Sequence, residues 1–192
     1  MNTILQRLEE GTLIRNAWTG TDDRGRKTAC LLAALSPEVE REKTAAACPA
    51  EIMPSWLAHL TPWMDDAGTL EAWPGMVRRY ADLASRWHVL SDADWKRVEF
   101  TTLRIIVESV APFAGQALPA VEEVLTLLRR AERGDVAPQL DWTKAAEAAA
   151  TWATWEATRA AWAEAAWAAS ADTITAAILD AINAAILAKE TA

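Results

Sequence analysis

Hydrophobic positions recur along this chain with a helical step, and strand-like alternation is hard to find. Within 118–132, Val121, Val124, Leu125 and Leu128 fall on one side, and Glu122, Glu123, Arg129 and Arg130 on the other. That pattern predicts an amphipathic helix closed by Gly134. Trp95, Val98, Leu103, Ile106 and Val110 mark a second helix, from Asp92 to about Val110. Ser91 and Asp94 form its capping box, and Ala111-Pro112 ends it. Trp73, Val77, Tyr80, Leu83 (or Ala84) and Trp87 follow the same step and read as core. In the last quarter, residues 141–188 carry neither proline nor glycine and are dominated by alanine, the best helix former. Trp142, Trp152, Trp155, Trp162 and Trp167 punctuate this stretch. Trp155 and Trp162 share one face, Trp142 and Trp167 another, with Trp152 between. Together the indoles span an arc of roughly 160°, wider than a surface helix needs, which predicts a central helix with partners on two sides. From Ile174 the step becomes strictly four, through Ile178, Ile182 and Ile186. Ser170 and Asp172 are good N-caps, so a break at 170–173 is expected, with one continuous helix as the alternative.

Toward the N-terminus the elements shorten. Thr3 to Glu10 reads as a helix stopped at Gly11. Residues 12–18 read as either extended or helical, and TGTDDRGRK (19–27) is the clearest exposed turn. Any β structure is expected within 12–30. Residues 28–35 are apolar nearly throughout, as in a buried helix. Ser36-Pro37-Glu38 supplies an N-cap, a proline at the first helical position and an acid in the first turn. Pro49, Pro54, Pro62 and Pro74 then divide the chain into short helices, with Thr61-Pro62 read as a restart and Thr69 as the next start. The expected fold is all-α: a single domain over 1–192, a bundle of roughly seven to nine helices. Residues 1–134 form short helices, and residues 135–192 an Ala/Trp-rich tail packed on them.

Composition narrows the classes. Eleven of the aromatic residues are tryptophan, against two phenylalanines and one tyrosine. The formal net charge is −8, and no basic patch of the kind that nucleic-acid binding needs is visible. Cys30 and Cys48 form no metal-binding pair. They allow one disulfide, but the N-terminus lacks a signal-peptide pattern, so free thiols in a reducing cytoplasm are expected. No uninterrupted apolar run reaches the ~18 residues of a membrane span.

For catalysis, His59 and His88 with Asp65 and Asp66 sketch an acid/base site, and Cys48 a nucleophile, without a motif that fixes their geometry. Structural histidines and a buried thiol are the plainer reading. The acidic pairs lack calcium-loop spacing. Phosphate-loop, dinucleotide and zinc patterns are absent from the sequence. The expectation is therefore no catalytic residue, no metal and no cofactor. Contact with a partner is expected instead from Asp22, Asp23, Asp65 and Asp66, which lie in or beside the turns, and from Trp18 and Trp56.

The stretch MPSWLAHLTPWMDDAG…AWPGMVRRYADLA (53–84), followed by the Ala/Trp tail, resembles uncharacterised alanine-rich helical proteins of bacterial and phage genomes, some of them labelled immunity proteins. The resemblance is one of style and carries over no functional residue. It implies a small cytoplasmic accessory protein that acts by binding another protein. One form is a phage or mobile-element inhibitor of host defence, anti-CRISPR-like, whose partner is a basic nucleic-acid-handling protein. The other is an immunity protein that neutralises a toxin. An enzyme with an unfamiliar helical site is the remaining alternative, and the oligomeric state is open.

Overall fold

The computed structural model describes residues 3–145 and 164–191. The chain is all-α and multi-helical, with a long C-terminal helix and, among the described residues, one short hairpin. It divides into two compact units, residues 1–88 and 89–192. The sequence pattern reads 1–192 as a single domain, with the helical tail beginning at residue 135.

In the first unit, α1 (Thr3–Glu10) ends at Gly11, whose φ of +67° suits a residue without a Cβ. The next residues are extended rather than helical, and Leu13 bridges Ala29. Strand β1 (Thr19–Thr21) pairs antiparallel with β2 (Lys27–Ala29), Thr19 opposite Ala29. The glycine- and charge-rich turn is thus the tip of a hairpin, with β structure confined to the expected window. This hairpin takes residues 28–29 from the helix expected over 28–35. Only α2 (Leu31–Leu35) remains, capped by Cys30 Sγ accepting from the Ala33 N–H.

Ser36 caps α3 (Pro37–Glu42), with proline in the first turn as read. The expected restart at Thr61-Pro62 does not occur: α4 (Ser55–Asp66) runs straight through Pro62. Thr61 is buried there rather than acting as a cap, its hydroxyl donating to the Leu57 carbonyl at 2.8 Å and pairing with Tyr80 Oη at 2.8 Å. Thr69 Oγ1 accepts from the Ala72 N–H ahead of α5 (Trp73–Arg86). Val77, Tyr80, Leu83 and Trp87 are buried, as the helical step predicts, and Tyr80 meets the edge of Trp87.

In the second unit, α6 (Asp92–Val110) starts at the predicted capping box, with both Ser91 and Asp94 engaged. Two short 3-10 turns lead to α7 (Leu118–Glu132). Residues 139–145, α8, are helical. Helix α9 (Glu164–Glu190) passes through Ser170–Asp172 without a break, so the continuous alternative holds over this range. Helix α6 packs against both α7 and α9. Phe100, Leu128 and Ala131 form a core on which Trp142 stacks, 6.1 Å from Phe100 and 12° from parallel. Ile174, Ile178, Ile182 and Ile186 are all buried.

Trp152, Trp155, Trp162 and the Trp167 side chain, with the paired burial expected for Trp155 and Trp162, lie outside the described residues. Ser170–Glu190 does reach the length and mean hydropathy (1.5) of a membrane span, contrary to the count of uninterrupted apolar residues. Its isoleucine side is buried within the second unit, as in the core helix of a soluble protein.

Candidate functional site

Asp65 closes the last turn of α4 and is 1 % exposed. Its Oδ2 accepts the Leu31 N–H at 3.0 Å, at the start of α2, and its Oδ1 accepts the Trp73 indole N–H at 2.7 Å. The Arg15 guanidinium donates to the carbonyls of Asp65 (2.7 Å), Asp66 (2.5 Å) and Gly68 (2.6 Å). A cation thus sits where the carbonyls at the end of α4 need donors. Asp66 Oδ1 accepts the Asn16 N–H at 2.6 Å, holding Asn16 at a left-handed φ of 59°. Burial pushes the Asp65 carboxyl up to about 6, against the Leu31 and Trp73 donors that favour its charged form.

This geometry corrects the reading of Asp65 and Asp66 as acids free to reach outward. The DDAG segment looks like a solvated turn in one dimension. In the fold it ties the bend at residues 15–16, α2, α4 and α5 together. Asp22 is also committed: its carboxylate accepts the Arg24 and Arg26 N–H groups and pairs with the Arg26 guanidinium at 2.7 Å. The Arg26 N–H foremost holds its carboxyl below the usual range. Asp23 is exposed at the hairpin tip, while Trp18 and Trp56 are half-buried.

The sketched catalytic groups do not come together. His59 is exposed on α4, its Nδ1 2.8 Å from the Ser55 carbonyl, while Asp65 on the same helix is buried. His88 is exposed beyond α5. Cys30 and Cys48 are both free thiols, pushed up by burial and so held away from the reactive thiolate. Among the described residues no group of three or more His, Cys, Asp or Glu is placed to hold a metal ion. Among the described residues, two shallow depressions are lined largely by polar residues. One lies beside Gln6, Arg7 and Arg26, the other beside Thr21, Lys27 and Arg41, away from both histidines.

Charge is distributed unevenly. Residues 1–88 contain 10 basic and 12 acidic side chains, a net of −2; residues 89–192 contain 9 and 15, a net of −6. Most of the described bases of the second unit stand in ion pairs at its surface. Arg104 bridges Glu108 and Glu132, Arg129 reaches Glu108, and Arg130 pairs with Asp135. Lys96 pairs with Glu99, and Asp94 takes both Arg97 and Lys189. Acids outnumber bases in this unit, so its net charge is negative. It also carries apolar side chains that the periodicity had assigned inward or passed over. Leu103 on α6 is exposed, and Phe113 stands exposed in the α6–α7 turn. An aromatic between a proline and a glycine was the available signal.

No family model, no curated protein and no solved structure matches this chain.

Proposed function

We propose that the protein is a non-enzymatic accessory factor of phage or mobile-element origin that inhibits a host-defence protein by direct contact, presenting its acidic second unit to a basic partner. The observation that carries this reading is the net charge of −6 on residues 89–192, with most of the described bases paired to the unit's own acids. A surface so arranged repels phosphate backbones and attracts proteins built to hold them. Complementary charge speeds association and selects among partners, and salt screens it. A cytoplasmic setting is part of the proposal.

The test is affinity capture of partners from a bacterial host at low and high salt, followed by calorimetric titration of whatever is retained. One stoichiometric basic protein, held at low salt and released at high salt, is expected. Recovery of no stoichiometric protein, or of one whose binding ignores salt, overturns the reading. An immunity protein uses the same contact chemistry, and a toxin as the captured protein would identify that case.

A further inference from the structure

The turn between α6 and α7 carries an apolar surface with an acidic rim. Phe113 is 73 % exposed, far beyond what a core aromatic shows, and Val110 (39 %) and Leu118 (42 %) flank it in sequence. Leu103 (42 %) lies one heptad before Val110, so both fall on the same side of α6, opposite buried Asp94. The apolar surface thus extends down the helix from the turn. Glu122 and Glu123 are exposed on the first turns of α7. From Ile105 to Leu128 the chain contains no lysine or arginine. Exposed apolar side chains close together along a turn mark a candidate contact surface, and a large exposed aromatic among them suits the anchor role that dominates such contacts.

Building on the acidic-inhibitor reading, we infer that this turn is the docking tip of the protein, Phe113 entering an apolar pocket of the partner whose rim carries lysine or arginine. The apolar centre supplies affinity by leaving water. The Glu122–Glu123 rim, with no base nearby in the chain to neutralise it, selects a pocket edged with positive charge. A pocket edged with acids is rejected by like-charge repulsion.

A leucine/lysine peptide with leucine at i, i+3, i+4 and i+7, amphipathic as a helix, serves as the probe, with a leucine/glutamate peptide of the same pattern and length as its control. Fluorescence anisotropy follows each against the full chain at low and high salt. The leucine/lysine peptide binds, the control does not, and Phe113→Ser/Leu118→Ser weakens binding at least ~10-fold with helicity unchanged. Glu122→Gln/Glu123→Gln weakens it several-fold and flattens its salt dependence. Equal binding by the Phe113→Ser/Leu118→Ser variant overturns the docking tip, since the peptide would then sit elsewhere on the acidic surface. That outcome leaves salt-sensitive capture of a partner intact. Failure of capture with normal peptide binding would instead remove the inhibitor reading and keep the tip.

Discussion

Thr102 lies on the core side of α6, 2 % exposed, and its hydroxyl has no hydrogen-bond partner. A buried hydroxyl left unpaired costs free energy that an isosteric methyl does not. Thr102→Val is therefore expected to stabilise the protein by about 1 kcal/mol, seen as a raised melting temperature. A lowered one would mean that the hydroxyl is satisfied by water. Thr61 is the contrast: equally buried, but with its hydroxyl shared between Leu57 and Tyr80. Thr61 is marked in the sequence by Pro62, which suggests a cap, whereas its actual partners are the Leu57 carbonyl of its own helix and the Tyr80 hydroxyl of the neighbouring one. Asp65 makes the same point more strongly. Its sequence neighbours describe a turn, while its ligands, Leu31 and Trp73, come from 34 residues before and 8 residues after it.

At the scale of elements, local signals read well. The Ser36 and Ser91 caps, the stop at Gly11 and the bounds of α6 and α7 depend on chemistry within a few residues of each helix end. The misreadings have tertiary causes. Pro62 was taken as a helix start because it cannot donate a backbone hydrogen bond. Packing of Leu57, Ala58, Thr61 and Met64 carries α4 past that gap. Ser170 and Asp172 suggested a break, but the buried isoleucine row keeps α9 continuous. Ile178 is fully buried in that row, and Leu187, near the end of the helix, is 46 % exposed. Ile178→Ala should cost ~2–5 kcal/mol by leaving a cavity, and Leu187→Ala within about 0.5 kcal/mol. Denaturant titration of both variants checks the contrast, and equal losses would show that the helix does not bury one face.

For the whole molecule, two acids give the units opposite responses to pH. The Asp65 carboxyl in the first unit is raised from 3.8 to about 6. The folded protein therefore holds a proton that the unfolded chain has released across that interval. Its stabilising effect is complete below the ordinary value and is lost as pH rises through about 6, a swing on the order of 3 kcal/mol. The Asp94 carboxyl in the second unit is lowered from 3.8 to about 2, by the Ser91 hydroxyl first and Lys189 next. Its contribution is present above the ordinary value and is lost as pH falls toward about 2. Acidifying from neutral to pH ~4 should thus raise hydrogen-exchange protection in α4 and leave α6 unchanged, and further acid should loosen α6. Asp65→Asn should abolish the rise in α4. It should also lower the melting temperature, because the amide's N–H groups cannot accept the two donors that meet the carboxylate. A steady loss of α4 protection from neutral to pH ~4 would contradict the sign assigned to Asp65.

The sequence by itself determined the helical class, the bounds of α6 and α7, the window that holds the β structure and the negative charge, because each depends on short-range periodicity, capping or simple counting. Tertiary structure alone decided which polar groups are available to a partner. Asp65 and Asp66 are taken by Leu31, Trp73 and Asn16, while Arg104 reaches Glu132 on α7 and Lys189 on α9 reaches Asp94. It likewise left Phe113 and Leu103 in solvent, where helical spacing would have buried one and passed over the other. A side chain's charge and polarity belong to the residue, but its exposure and its partner are set by segments distant in the chain, whose approach no local pattern encodes.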